Sequence, residues 1–164
     1  MENGHDTSNR ETTQRGPNPG LLRPPIVFLA AIVAGIALNL AWPLPLKLSI
    51  LWWLGPLLTG CAALLFLLSY REFRTAGTSV RGSERTTAIV RTGPYRFSRN
   101  PIYVSFVMLV LGLSVWLNNL WLLITLVPAV GLIRIVVIPR EERFLEHNFS
   151  EQYANYKDSV HRWL

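Results

Sequence analysis

Charged, hydroxyl and aromatic side chains flank the last long apolar stretch of this sequence. One group precedes it, Arg91 to Tyr103 (RTGPYRFSRNPIY), and Arg140-Glu141-Glu142 follows it. Gly93-Pro94 favours a turn, and Pro101 suits the first turn of a helix, whose free backbone N–H groups attract an anion such as a carboxylate. A glutamate beside them can hold a cation. The two groups together could bind both charged ends of an amino acid, with Tyr95 and Tyr103 stacking on or hydrogen-bonding a ring.

The same residues fit a second interpretation, a belt at a membrane interface. Arginine and tyrosine anchor helix ends at the headgroup level, and glutamates would then neutralise the arginines. Residue types and spacing leave a ligand site and an interface belt both open.

The composition requires lipid as the solvent, because half of the 164 residues are hydrophobic and the mean hydropathy is +0.27. Four apolar stretches predict an all-α, polytopic membrane helix bundle of about four transmembrane helices. The predicted spans are residues 25–42, 48–70, 101–117 and 120–138. Pro43-Leu44-Pro45 ends the first span, and Pro56 predicts a kink near the start of the second.

The third and fourth spans come from one uncharged run, Pro101 to Ile133. As a single helix it would be about 50 Å long, which exceeds one crossing. Asn118-Asn119 in its middle suits a tight turn. The run therefore predicts a helical hairpin, which brings its two flanking groups together.

Arginine and lysine predict the orientation, because cytoplasmic segments near spans retain them. Residues 71–100 hold seven arginines, whereas Lys47 alone falls on the side of the first short loop. Both termini, loop 71–100 and segment 139–164 are therefore predicted to be cytoplasmic. Residues 1–22 are polar and predicted to be a disordered tail, and residues 23–164 one membrane domain. Aromatic and aliphatic residues at helical spacing make the C-terminal segment an amphipathic interfacial helix.

The basic cytoplasmic segments of this topology account for the net charge of +6. This charge favours anionic lipid headgroups over nucleic acid as partners. The single cysteine, Cys61, falls in a predicted span without further soft ligands, so no metal site is expected.

The run Gly93 to Tyr103, the hairpin, the Glu141-Glu142 pair and the run Phe149 to Tyr156 (FSEQYANY) follow one another in this order. This arrangement resembles the group of isoprenylcysteine carboxyl methyltransferases and phospholipid methyltransferases, over about residues 86–164. The resemblance implies an integral membrane enzyme that uses S-adenosylmethionine and methylates a lipophilic substrate.

The resemblance also implies site residues. Cofactor contacts fall on Thr87, Ala88, Ile89, Val90, Tyr95, Asn100, Pro101, Ile102, Tyr103 and Glu141. Glu141, helped by Glu142, would bind the amino group of the cofactor. The family usually has histidine where this chain has Asn100. Asparagine still hydrogen-bonds but cannot titrate near neutral pH, so binding survives this change more easily than proton transfer.

Arg134 is a further candidate. In an α-helix it would lie two turns before Glu141, about 10 Å deeper on the same face. The prenylcysteine enzymes have a basic substrate-binding residue about one turn before the glutamate, where this chain has Val137. The resemblance implies that Arg134 replaces that residue and pairs with a substrate carboxylate. A snorkelling arginine or a structural pair with a glutamate is the alternative.

The predicted activity is methylation of a lipophilic small molecule or lipid, by carboxyl O-methylation as in the prenylcysteine enzymes. A phospholipid headgroup amine is the alternative acceptor, and a non-enzymatic membrane scaffold is the alternative class. The acceptor atom and the oligomeric state stay open.

Overall fold

The computed structural model describes residues 23–47, 51–75 and 89–163, which contain helices, turns and connecting loops without strands. In chain order these elements are α1 (Pro24–Ala41), α2 (Leu54–Thr75), a 3₁₀ turn (Gly93–Arg96), α3 (Pro101–Trp116), α4 (Leu120–Leu132), a π-helical turn (Ile133–Val137) and α5 (Ile138–Ser159). The all-helical prediction is confirmed. The predicted tail, residues 1–22, lies outside the described residues.

The helices have the length and polarity of a membrane bundle. Pro24–Ala41, Leu54–Thr75 and Leu120–Phe149 are long and apolar enough to cross a bilayer, and Pro101–Trp116 is a shorter apolar helix. Large aliphatic side chains point outward along them, among them Leu29, Val33 and Val127, which are 59%, 58% and 72% exposed. Such a surface is stable only in lipid, which confirms the predicted membrane helix bundle.

The start of α2 differs from the prediction. The helix begins at Leu54 and extends to Thr75, whereas the apolar run predicted residues 48–70, and residues 48–50 lie outside the described part of the chain. Pro56 is the third residue of α2. The predicted kink is wrong, because a proline in the first turn removes an N–H group that has no intrahelical acceptor.

The hairpin between α3 and α4 turns at the predicted asparagine pair. Asn118 has a φ of 48°, a left-handed conformation that asparagine tolerates better than most residues. Asn119 is 2% exposed, and its Oδ1 accepts the N–H of Trp121 at 2.9 Å. Its Nδ2 donates to the carbonyl of Gly35 in α1 at 3.3 Å. This one side chain therefore caps α4 and ties the hairpin to α1.

Small residues allow close helix contacts, α2 against α3 and α1 against α4. A Cβ atom at Gly55 would lie 2.6 Å from the Cα of Trp116, and one at Gly112 would lie 2.8 Å from the backbone N of Thr59. In α1, a Cβ at Gly35 would lie 3.0 Å from the Cα of Leu122. Close backbone approach replaces the hydrophobic effect as the source of packing energy between helices in lipid.

The C-terminal helix follows α4 without a loop, and α5 curves back toward the bundle. Lys157 Nζ lies 2.7 Å from Glu146 Oε1. A straight helix would separate the Cα atoms of these residues by about 16 Å, beyond the reach of both side chains. Because α5 bends between them, residues 156–163 return to the segment that precedes α3. The predicted C-terminal helix is present, and its bend was not expected from the sequence.

Candidate functional site

The hairpin brings Tyr103 and Glu141 into direct contact. Tyr103 is in the first turn of α3 and is 8% exposed, and Glu141 is in the first turn of α5. The Tyr103 hydroxyl donates to the Glu141 carboxylate, with O–O distances of 2.7 and 2.6 Å to its two oxygens. These lengths are typical of hydrogen bonds to a charged acceptor. The contact holds the carboxylate in one orientation at the end of the bundle.

Tyr95 lies beside this pair, in the 3₁₀ turn. It is 4% exposed, and its ring packs edge-on against Phe73 of α2 with the centroids 5.1 Å apart. The carbonyl of Tyr95 accepts a hydrogen bond from the Tyr156 hydroxyl at 2.7 Å. The Tyr95 hydroxyl itself is buried and has no hydrogen-bond partner within the described ranges.

Burial raises the pKa of the Tyr95 hydroxyl, and the nearby Tyr156, Glu141 and Glu72 raise it further. The group is therefore protonated at neutral pH. A buried donor without an acceptor is rare in native proteins, and a bound ligand is one explanation for it. Tyr95 thus offers a hydrogen-bond donor to a ligand at this site.

The 3₁₀ turn is fixed to the end of α2 through Glu72. The Thr92 hydroxyl donates to the Glu72 carboxylate, and Gly93 has a φ of 57°. A Cβ atom at Gly93 would lie 2.9 Å from Glu72 Cγ and Cδ. Glycine suits this position because its φ lies in the left-handed region, and an added Cβ would also force the Glu72 side chain to shift.

Glu142 has a different environment from that of Glu141. Its side chain is 10% exposed, and its carboxylate lies 3.1 Å from Arg99 Nη1 and 2.6 Å from Arg162 Nη2. Arg162 Nε also donates to it at 3.1 Å. Two guanidinium groups thus neutralise this carboxylate. The Glu141 carboxylate, in contrast, accepts the hydroxyl of Tyr103.

Asn100 is the residue before α3, and its side chain contacts the backbone of Arg162. Asn100 Nδ2 donates to the carbonyl of Arg162 at 2.9 Å, and its backbone N–H donates to Ser98 Oγ at 3.1 Å. Its carbonyl accepts the N–H groups of Tyr103 and Val104. These two backbone donors at the start of α3, expected to attract an anion, are therefore already used within the chain.

The remaining predicted cofactor residues are distributed around this segment. Val90 and Pro101 are buried, Ile89 is half-buried, and Ile102 packs against the core. Thr87 and Ala88 lie outside the described residues.

Arg134 lies in the π-helical turn and is exposed, whereas Val137 is fully buried. A π-helical turn holds about one residue more than an α-helical turn, so it rotates the helix before it relative to the helix after it by roughly 100°. The α-helical spacing that placed Arg134 on the face of Glu141 therefore does not hold. The substrate role of Arg134 stays a prediction.

Sequence reasoning assigned no role to Glu72, Arg99, Tyr156 or Arg162, although all four contact predicted site residues or the turn that carries them. Tyr156 belongs to the run Phe149 to Tyr156 that the family resemblance includes, so a signal existed for it. The sequence carried no such signal for Arg162, because only the bend in α5 brings this residue to the site.

An open cavity of about 620 Å³ lies between α2, the 3₁₀ turn and the start of α3. Its volume is in the range of small-molecule sites. Most of its wall is apolar, and Glu72 and Arg96 provide the charged groups. The lining residues are Leu65, Leu68, Glu72, Gly93, Pro94, Arg96, Phe97, Ser98, Pro101 and Val104.

One family of known proteins matches this chain over more than half of its length. Residues 50–152 match the family model of phospholipid methyltransferases. A Haemophilus influenzae protein, described as uncharacterized, is 33% identical over 63 residues, which cover 38% of this chain and all of that protein. No solved structure matches the chain. The chain therefore belongs to the phospholipid methyltransferase family, part of the group of integral membrane methyltransferases that includes the isoprenylcysteine carboxyl methyltransferases.

Proposed function

We propose that this chain is an S-adenosylmethionine-dependent membrane methyltransferase that acts on a lipophilic acceptor. Family membership supports the methyl transfer and the membrane location. The contact between Tyr103 and Glu141 carries the proposal for the cofactor, because it presents an oriented carboxylate where the ends of the hairpin meet. Such a group suits the ammonium of an amino acid.

The residues present fit this cofactor. Glu141 would hold its amino group, and the unpartnered hydroxyl of Tyr95 would donate to an oxygen of its carboxylate or ribose. Val90, Asn100, Pro101 and Ile102 would form the surrounding wall, as the family resemblance implies. When bound, the cofactor supplies an electrophilic methyl group on a sulfonium. The chain's own task is to orient it, exclude water and bring the acceptor into line.

The proposed acceptor group is a carboxylate. Its oxygen would attack the methyl carbon while the bond from that carbon to sulfur breaks and sulfur keeps the electron pair. The negative charge of the carboxylate and the positive charge of the sulfonium would both be lost in this step, so it needs no strong base. The described site offers no buried histidine for such a base, because His147 and His161 are exposed.

A phospholipid headgroup amine is the second candidate. The family description favours it, and so does the carboxylate of Glu72 in the wall of the cavity, which attracts a cationic headgroup. The apolar wall from α2 and α3 suits the hydrocarbon chain of either acceptor. Product analysis after incubation with matched lipophilic acids, thiols and amines distinguishes the candidates by which one gains a methyl group.

Arg134 is proposed as a contact for the acceptor's anionic group. Its exposed position suits a side chain that extends along the bundle surface toward the headgroups. We expect Arg134→Ala to abolish turnover and leave cofactor affinity nearly unchanged. Unchanged turnover in this variant would rule out the substrate role.

We place the site and both termini on the cytoplasmic side. The distribution of arginines supports this orientation, because the segment that precedes α3 and the segment that follows Ile133 carry most of them. Exposed Trp42, Trp52, Trp53 and Trp116 lie at the opposite helix ends, as an interfacial belt would require. Reporter fusions at each terminus test this topology.

The first experiment is calorimetric titration of S-adenosylmethionine into detergent-purified protein. We compare the unmodified chain with Glu141→Gln, and with Glu151→Gln as the control, since Glu151 is exposed on the same helix. Saturable binding that only Glu141→Gln loses supports the proposal. Absence of binding in a folded sample contradicts it and favours a non-enzymatic scaffold.

A further inference from the structure

The last described residues, His161-Arg162-Trp163, form a C-terminal strap that the proposed function does not use. The His161 carbonyl accepts the Arg99 N–H at 3.0 Å, and the Arg162 carbonyl accepts Asn100 Nδ2 at 2.9 Å. The Arg162 guanidinium binds Glu142, and Trp163 packs against the hydrophobic core. Three consecutive residues thus make contacts with two separate parts of the candidate site.

Arg162 contacts both halves of this site at once. Its carbonyl holds Asn100, the residue before α3, three positions from Tyr103. Its guanidinium, 2.6 Å from Glu142, holds α5 at the residue that directly follows Glu141. Glu142 is also bound by Arg99, whose side chain is 11% exposed. A buried carboxylate between two guanidinium groups has one preferred orientation.

We propose that Arg162 is a positioning residue, which sets the Tyr103–Glu141 contact by holding the starts of α3 and α5 together. The inference rests on the proposed function, because it assigns the strap a role in cofactor affinity. It also gives Asn100 a role in this chain: its amide is a donor to the strap, for which a titratable group is not needed. The apolar side chain of Trp163 anchors the strap to the hydrophobic core, and Arg162 fixes the position of the strap relative to α3 and α5.

A strap that only stabilised the fold would have a different signature. Its loss would lower the melting temperature and leave the kinetics of the folded fraction unchanged. Loss of a positioning residue raises the KM for the cofactor, while kcat at saturating cofactor changes little, because the occupied site restores the contact.

The experiment uses the full chain in detergent and three variants. Arg162→Met removes the charge and keeps the length, Arg162→Lys restores the charge, and Arg143→Met is the control, because Arg143 is exposed on α5. Hydrogen exchange of residues 91–100 reports the order of the site segment without cofactor. Calorimetry and initial rates give the Kd, KM and kcat with S-adenosylmethionine.

We expect Arg162→Met to speed exchange in residues 91–100 and to weaken cofactor binding about tenfold, equivalent to about 1.4 kcal/mol. Its kcat at saturation should stay within about twofold, Arg162→Lys should recover most of the affinity, and Arg143→Met should match the unmodified chain. Asn100→Asp is a second test, since a carboxylate cannot donate to the Arg162 carbonyl, and it should act in the same direction.

Unchanged exchange in both Arg162→Met and Asn100→Asp overturns the proposal. Faster exchange with unchanged cofactor affinity also overturns it, because the strap would then be only structural. If the unmodified chain binds no S-adenosylmethionine, the proposed function fails instead. The exchange comparison then still decides whether Arg162 orders the site segment.

Discussion

Replacing Tyr103 by phenylalanine isolates the effect of one hydroxyl on the candidate site. The Tyr103 ring packs in the hydrophobic core with 8% exposure, and phenylalanine keeps that packing without leaving a cavity. The change removes only the donor that lies 2.6 and 2.7 Å from the two Glu141 oxygens. The carboxylate keeps its charge and loses its fixed orientation.

Two contributions set the size of the expected effects. Loss of the hydrogen bond lowers the stability of the fold, and ordering the released carboxylate weakens cofactor binding. A hydrogen bond to a charged group is worth roughly 1.5–3 kcal/mol, and because Glu141 is half-buried, water compensates for part of its loss. We therefore expect the free energy of unfolding to fall by about 1.5 kcal/mol. Immobilising a released carboxylate on cofactor binding costs about 0.5–1.5 kcal/mol more, which weakens affinity two- to tenfold.

Calorimetric titration of S-adenosylmethionine and thermal unfolding measure the two effects on the same samples. Tyr70→Phe is the matched control, because Tyr70 is 38% exposed on α2. If Tyr103→Phe bound the cofactor as tightly as the unmodified chain, or more tightly, Tyr103 would compete with the cofactor for Glu141. That result would refute the positioning argument for this pair.

Two further predictions concern packing and pH. Gly112→Ala should lower the free energy of unfolding by about 1–3 kcal/mol, because the added methyl would lie 2.6 Å from Thr59 Oγ1 and force α2 and α3 apart. Gly131→Ala, with open space at its Cβ, is the control; equal melting temperatures for both variants in detergent would contradict the close contact. Burial raises the pKa of Tyr156 to about 12, with a smaller contribution from Tyr153, while Arg99 and Arg91 oppose the rise. A raised pKa adds stability that is complete below pH about 10 and is lost as pH rises through about 12. The melting temperature of the unmodified chain should therefore exceed that of Tyr156→Phe by a margin that shrinks across that interval. A constant difference from pH 9 to 12 would show that Tyr156 titrates normally.

Local sequence patterns predicted the elements that depend on a few neighbouring residues. The long apolar runs require lipid and helices, since the backbone must satisfy its hydrogen bonds internally. Asn118-Asn119 marked the hairpin turn, and Pro43 to Pro45 followed the end of α1. The hairpin then implied that the segment with Tyr103 and the segment with Glu141 meet, and the structure places these two side chains in contact.

Spacing failed where the helix departed from α geometry. The sequence of Ile133–Val137 carries no marker of a π-helical turn, so the expected alignment of Arg134 with Glu141 was lost. Pro56 was assigned a kink because the helix start could not be located to within six residues from apolarity alone.

The sequence by itself determined that this chain is a membrane helix bundle with chemically capable residues at both ends of one hairpin. Only the tertiary structure decided what each of these residues contacts. Glu141 and Glu142 are adjacent and identical in type, yet one faces Tyr103 and the other lies between Arg99 and Arg162. That difference depends on the bend in α5, which joins residues twenty positions apart, and such long-range contacts arise from the packing of whole helices and not from local propensity.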